Sequence, residues 1–290
     1  MPRSYVDAIK AHAKQVASLE GEQAREMRRL LESLQDTLRG RLLREPGGTF
    51  DSYRVQAVLA ETKAQINVLR QKALGIYGRG ETEAADLATD HVADELDRLA
   101  MAFDHKPIDV NLSAAAVLAD PAQRLLANHF ESSIDRYGLD VLNGVRREVF
   151  TFLRTGGDYR DAVAQIAGER GPLGAVGKTN GERLMRTEVS QAYGSAQHSG
   201  LKEAEKQVPG LKMVWLHTGS YRCPVCVPLH MTERPLSGAW TIRQGKKTRQ
   251  VAHPPAHPRC VCRVSAMKAS WKGALAKLGY LEPPAARKAA

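Results

Sequence analysis

The residues of this chain best suited to chemistry are its four cysteines, all of which lie between positions 223 and 262. Two form the segment Cys223-Pro224-Val225-Cys226, and two close the segment His257-Pro258-Arg259-Cys260-Val261-Cys262. Two cysteines three positions apart on a tight turn can aim both sulfurs at one point. Four thiolates, or three with one imidazole, complete the tetrahedral shell that zinc prefers. The two segments together therefore predict one zinc site.

The spacing leaves the fourth ligand open. In a regular strand Cys260 and Cys262 point to opposite faces, so both can bind one ion only if the backbone bends there. If it does not bend, His257 supplies the fourth ligand and one cysteine is spare. The alternative to metal binding is four free, buried thiols. Because no open coordination position is evident, we expect a structural zinc that contributes roughly 10–16 kcal/mol at neutral pH and holds together the segment between Cys226 and Cys260.

Composition and charge indicate the cellular compartment and the kind of partner to expect for this chain. The formal net charge is +10 with a pI near 9.5, which lowers the electrostatic cost of lying near DNA. No window of 18 residues is free of charge and the first residues lack the apolar core of a signal peptide, so we expect neither a membrane span nor secretion. In the cytoplasm thiols rarely form lasting disulfides, and this favours metal binding by the cysteines.

The segments that must position these residues are mainly helical, because apolar residues recur every three to four positions. Helices are predicted over 51–75, which Gly75, Gly78 and Gly80 end, and over 81–103, 158–167 and 180–207. The glycine-rich run from Gly168 to Gly177 is predicted to be a linker. Strands are predicted over 211–218 and 260–267, on either side of the segment between Cys226 and Cys260.

The predicted fold is therefore mainly α with a small C-terminal α+β module. Its expected parts are an elongated helical region over 1–110, a helical connector over 111–177, a zinc-binding module over 178–270 and a C-terminal tail over 271–290.

One ordered set of motifs carries a resemblance. Arg186-Thr187-Glu188 and Ala192-Tyr193 lie on a predicted helix, which a strand containing Trp215 follows. The Cys-x-x-Cys pair comes next, and Pro254-Pro255-Ala256-His257-Pro258-Arg259-Cys260-Val261-Cys262 closes the set. Over about 139–267 this order resembles the phage head-morphogenesis family, the minor head proteins similar to the F protein of phage Mu. Relatives usually have an aspartate where Ser220 stands.

The resemblance implies a structural, non-enzymatic role as a minor head component at the portal vertex, in head assembly, DNA packaging or delivery. It implies a few copies per virion, the portal protein as partner, with major capsid or scaffold protein as further candidates, and assembly in the host cytoplasm. It also favours a structural role for Arg186, Thr187 and Glu188, as a buried pair that docks the helix to the module. The alternative is a helix surface on which Arg186 pairs with Glu182.

Two other functions stay open from the sequence. One is a zinc-containing nucleic-acid-binding protein, in which a basic run contacts DNA or another acidic surface. This run consists of Arg243, Lys246, Lys247 and Arg249. The alternative is that the run is a solvated, flexible loop without such a contact. The other is a nuclease whose fold is stabilised by zinc, with His230 or His253 as the catalytic base. No paired histidine with a nearby Asn or Asp is evident that could bind a second metal.

Overall fold

Six α-helices precede five short strands in the computed structural model, which describes residues 5–45, 48, 51–102, 113–218, 223–245 and 247–268. The helices are α1 (Tyr5–Leu42), α2 (Ser52–Ala102), α3 (Ala114–Leu118), α4 (Pro121–Thr155), α5 (Tyr159–Ile166) and α6 (Ala175–Glu205). The strands are β1 (Lys212–Leu216), β2 (Glu233–Pro235), β3 (Trp240–Gln244), β4 (Lys247–Val251) and β5 (Arg263–Met267). This confirms a mainly α chain with a small C-terminal strand module.

Helix α2 corrects the prediction of two helices over 51–75 and 81–103. It continues through the three glycines that were expected to end the first of them. A glycine inside a helix costs only about 1 kcal/mol relative to alanine, and buried neighbours outweigh that amount. Ile76 and Tyr77, which lie between these glycines, are both buried, and the Tyr77 ring stacks on Phe130 with centroids 4.3 Å apart. Tertiary packing therefore decides the length of α2.

The run from Gly168 to Gly177 is a set of tight turns and the start of α6, which corrects the prediction of a linker. Helix α6 begins at Ala175, whose N–H donates to the Glu169 carbonyl over 2.9 Å. At Gly174 an added Cβ would lie 2.0 Å from the same carbonyl oxygen. Glycine is needed here because the backbone folds back closely on itself, and not because the segment must flex.

The chain divides into two compact units, each assembled from separate segments: Met1–Leu19, Glu81–Arg124 and Val189–Ala290 in one, Glu20–Gly80 and Leu125–Glu188 in the other. In the second unit one apolar face of α1, which includes Met27, Leu31 and Leu38, is buried. The predicted tail over 271–290 falls outside the described residues. Among the helices that are described, none qualifies as a membrane span.

The strands of the first unit form two small sheets. Strand β1 lies between β2 and β5 in an antiparallel sheet, and β3 pairs with β4 in an antiparallel hairpin. The predicted strands over 211–218 and 260–267 are confirmed in shortened form as β1 and β5. Within the segment between Cys226 and Cys260, Leu236, Trp240 and Ile242 are buried.

Candidate metal centre

The first half of the centre is the turn over Cys223-Pro224-Val225-Cys226. The N–H groups of Cys226 and Val227 both donate to the Cys223 carbonyl, over 3.1 and 2.9 Å. Proline in the second position fixes a φ that suits such a turn. The turn brings both cysteines to one side, with Cys226 fully buried and Cys223 partly exposed.

The second half is also a four-residue turn, with histidine in the first position and proline in the second. In His257-Pro258-Arg259-Cys260 the Cys260 N–H donates to the His257 carbonyl over 3.1 Å, and Arg259 adopts a left-handed φ of 62°. Strand β5 begins only at Arg263, so Cys260 and Cys262 precede the regular strand that was predicted to contain them. The backbone bend that joint ligation by both cysteines would require is therefore available before β5.

The two halves meet at Cys226. The Nε2 atom of His257 lies 3.0 Å from the Cys223 sulfur and 3.1 Å from the Cys226 sulfur, and the Cys226 sulfur lies 3.7 Å from that of Cys260. The ligand atoms of Cys226, Cys260 and Cys262 all lie within 4.8 Å of one another, as do those of Cys223, Cys226 and His257. The five predicted ligands thus form one cluster that could hold a metal ion.

His257 is set in the tautomer that a metal requires. Its Nδ1 atom lies 2.8 Å from the Pro258 carbonyl oxygen, which can only accept a hydrogen bond. Nδ1 therefore carries the proton, and Nε2 presents its lone pair to the two sulfurs. A hydrogen bond of this kind is the usual means by which proteins fix the orientation of a ligating histidine.

The neighbouring thiols of the cluster share protons through hydrogen bonds, and a bound cation would replace those protons. Hydrogen bonds with Cys260 and then Cys262, followed by burial, raise the pKa of Cys226 above its ordinary value. Hydrogen bonds from Cys226 and then Cys262 lower the pKa of Cys260. Neighbouring buried thiols cannot all ionise unaided, because each thiolate disfavours the next. A divalent metal ion would take the place of the shared protons and stabilise several thiolates at once.

Helix α6 holds the chain just before the second half of the centre. The Gln191 side-chain amide donates to the Pro255 carbonyl over 3.2 Å. One turn further along, a Cβ on Gly194 would lie 2.1 Å from the Pro254 oxygen, so only glycine lets the helix approach this closely. These contacts position the backbone that leads into His257.

The same face of α6 also contacts the main chain elsewhere in the module. Gln197 donates to the Val264 carbonyl over 3.0 Å, and His198 Nε2 lies 2.8 Å from the Leu236 carbonyl. All of these positions follow Val189 and lie in the same compact unit as the strands. The sequence interpretation missed this face, although a glycine and polar residues recur on it at helical spacing.

Arg186, Thr187 and Glu188 belong to the compact unit that contains none of the candidate metal ligands. Glu188 is buried, with its carboxylate 3.3 Å from His129 Nδ1 on α4, and burial raises its pKa. The Thr187 hydroxyl donates to the Arg183 carbonyl. The partner described for Glu188 thus lies on α4, whereas the sequence predicted a pair that docks α6 to the strand module.

A second difference concerns the alternative that was considered for Arg186. In that alternative Arg186 pairs with Glu182, four positions earlier. Glu182 instead forms its ion pair with Arg28 on α1.

The basic run lies on the β3–β4 hairpin, except for Lys246, which is outside the described residues. In the hairpin register Ile242 faces Arg249, so both lie on the face that contains the buried side chain of Trp240. The Arg249 guanidinium donates to the Ala256 carbonyl. Arg243 lies on the opposite face. The run therefore belongs to an ordered hairpin and is divided between its two faces.

The two histidines considered for a nuclease are held by main-chain groups. His230 Nδ1 accepts from the His217 N–H over 3.1 Å, and burial followed by the nearby His217 lowers the pKa of His230. His253 Nδ1 lies 2.7 Å from the Pro254 carbonyl, and burial lowers its pKa to about 4. Neither histidine belongs to a group of three potential metal ligands among the described residues.

No protein-family model matches the chain, and comparisons with curated proteins and with solved structures gave no match. The family resemblance therefore stays a prediction that depends on the motifs themselves.

Proposed function

We propose that the strand module binds one structural zinc ion, and that the chain serves as a structural minor head protein of a tailed phage. The observation that carries the first part is the position of Cys226, whose sulfur contacts His257 Nε2 and the Cys260 sulfur. One ion at this point would join two turns that are separated by the whole β2–β4 segment. The second part is supported by the order of the motifs around this cluster.

The ligands that fit the proposal best are Cys223, Cys226, His257 and Cys260. With zinc–sulfur bonds of about 2.3 Å, two thiolates of a tetrahedral site lie about 3.8 Å apart. The Cys226 and Cys260 sulfurs lie 3.7 Å apart. A sulfur and a nitrogen ligand would lie about 3.5 Å apart, so binding would widen the contacts of His257 by about half an ångström.

Cys260 is preferred to Cys262 as the fourth ligand because it ends a four-residue turn that is closed by the same hydrogen bond as the first half. In each turn a proline follows the first ligand, and the N–H of the closing cysteine donates to that ligand's carbonyl. We therefore assign Cys262 to the surroundings of the site, where its thiol supports Cys226 and Cys260. Four protein ligands fill the zinc shell, which suits a structural site without bound substrate.

Zinc fits this donor set better than other common metals. Soft thiolates with one imidazole in a tetrahedral arrangement favour zinc, whereas magnesium and calcium require oxygen ligands. The proposed role of the ion is to fix the module's fold and to stabilise the surface that other proteins contact.

The head-protein role rests on the resemblance over about 139–267. We propose that the chain acts without catalysis, near the portal vertex of the virion, in head assembly, DNA packaging or DNA ejection. Its proposed main partner is the portal protein, with major capsid or scaffold protein as further partners and packaged DNA as a contact. The net charge of +10 suits proximity to DNA.

The ligand assignment is tested by zinc competition against a chromophoric chelator, with Cys260→Ser and Cys262→Ser as a matched pair. Loss of a residue that only supports the ligands reduces metal affinity about 10- to 100-fold. We expect Cys262→Ser to stay within that range and Cys260→Ser to exceed it. The reverse order would show that Cys262 is the ligand, and unchanged affinity in His257→Gln would exclude the histidine.

The head role is tested separately by co-expression of the zinc-loaded chain with the portal protein of the same genome. Stable co-purification, together with detection of the chain in purified virions, is the expected result. Absence of the chain from virions would overturn this role but would leave the metal site unaffected.

A further inference from the structure

A basic groove lies on helix α4, in the unit that contains none of the proposed metal ligands. Its volume is about 670 Å³. Among the described residues, those that line it all come from this helix and recur at helical spacing: Asn143, Arg146, Arg147, Phe150, Thr151 and Arg154. At 1.5 Å per residue, this surface extends about 16 Å along the helix.

The groove carries three positive charges that no carboxylate of the described residues neutralises. Arg146, Arg147 and Arg154 are exposed and form no ion pair within that part of the chain. Arg146 donates to the Asn143 side-chain oxygen, over 3.3 Å. Earlier on α4 the charge pattern differs, because Glu131 and Asp135 both pair with Arg70 of α2. The groove is therefore complementary to a polyanion.

Phe150 gives the groove an aromatic surface. It is 59% exposed, whereas the opposite side of α4 buries Phe130, Val145 and Val149 completely. An exposed aromatic ring among guanidinium groups is the combination with which proteins bind unpaired nucleotides, since the ring stacks on a base while arginines contact phosphates. The Thr151 hydroxyl donates to the Arg147 carbonyl, so its oxygen keeps the capacity to accept from a base.

We propose that this face of α4 binds single-stranded nucleic acid. Phe150 stacks on one unpaired base, and Arg146, Arg147 and Arg154 contact the phosphates on either side. Single strands are preferred to duplexes because a base within a duplex is already stacked on both of its faces. This nucleic-acid-binding activity is additional to the proposed function, and it does not require bound zinc.

The test measures binding of the zinc-loaded full chain to a short fluorescent oligothymidylate by anisotropy, over a range of salt concentrations. Each phosphate contact to a single strand contributes about −0.7 to the slope of log affinity against log salt. Replacing two arginines, in Arg147→Gln/Arg154→Gln, is expected to make the slope shallower by about 1.4. Three contacts correspond to a roughly 20-fold loss of affinity between 50 and 200 mM salt.

Stacking is tested at Phe150 with variants that separate an aromatic ring from a merely apolar side chain. Phe150→Leu is expected to weaken binding about 5- to 150-fold, because it removes the ring and keeps apolar area. Phe150→Trp is expected to restore binding. Leu125→Ala is the matched control, since Leu125 is an exposed apolar residue of α4 outside the groove, and far-ultraviolet circular dichroism checks the fold of each variant.

Two further controls separate this site from the strand module. Binding is expected to persist after zinc is chelated and in Arg243→Gln/Lys247→Gln, which removes charge from the hairpin. Binding that disappears in either case would overturn the proposal and assign the contact to the module. Equal affinity for a duplex, wild-type affinity in Phe150→Leu, or preference for an acidic amphipathic peptide over the oligonucleotide would overturn it as well.

Discussion

Removal of zinc is expected to unfold the strand module and to leave the helical unit over 20–80 and 125–188 folded. The expected magnitude follows from the site: a structural zinc contributes roughly 10–16 kcal/mol at neutral pH, against a typical domain stability of 5–15 kcal/mol. The buried core around Leu236, Trp240 and Ile242 offsets part of this loss. The free energy lost with zinc equals or exceeds the whole stability of a typical domain, and the core compensates for only part of it. We therefore expect the module to be unfolded when no metal is bound.

The assay exploits two tryptophans of the module core. Trp215 and Trp240 are fully buried, with ring centroids 5.1 Å apart at an interplanar angle of 70°, so their fixed environment gives a near-ultraviolet circular dichroism signal. That signal is expected to collapse after chelation, while most of the helical far-ultraviolet signal stays. Trp271→Phe serves as the background, because Trp271 lies outside the described residues. An unchanged near-ultraviolet spectrum in protein shown to be metal-free would refute this reasoning.

Three further predictions follow from individual contacts. Gly194→Ala is expected to destabilise the chain by about 1–3 kcal/mol in denaturant unfolding, because its Cβ would lie 2.1 Å from a main-chain oxygen; Gly40→Ala, with nothing within 4 Å, is expected to be neutral or stabilising. Burial lowers the pKa of His91 from 6.5 to about 3, so the folded chain favours the neutral imidazole. The resulting contribution to the free energy of unfolding is complete above pH 6.5. It is lost as the pH falls towards 3, at about 1.4 kcal/mol per pH unit. His91→Gln is expected to show a shallower fall than wild type, and parallel curves would contradict this. Arg249→Ala is expected to lower the module's melting temperature, since its guanidinium bonds a main-chain carbonyl, whereas Arg243→Ala on the other face is expected to change it little; equal effects would contradict the hairpin register.

Those parts of the fold that depend on local patterns could be predicted from the sequence. The strands around Trp215 and Val264, the helix break at Pro121 and the cap of α2 at Asp51 each have a signal within a few residues. The clustering of cysteines likewise predicted which side chains would meet, since two short turns can be recognised from spacing alone.

The parts that the sequence did not predict depend on contacts between distant segments. The three glycines of α2 lack helix propensity, yet packing of Tyr77 against Phe130 keeps the helix continuous. The partner of Glu188 lies on α4, 59 positions earlier in the chain, and no local rule predicts that pairing. The face of α6 that contacts the module through Gln191 and Gly194 has a recognisable spacing, but its meaning depends on which backbone lies opposite.

We propose that one metal ion joins the turn at Cys223–Cys226 to the turn at His257–Cys260. Elemental analysis of the full chain, purified without chelator or affinity metal, determines whether that ion is present. We expect one zinc per chain in the wild type and a large loss of zinc in Cys226→Ser, because Cys226 contacts both turns. Wild-type protein that is folded and contains no stoichiometric metal would contradict the claim.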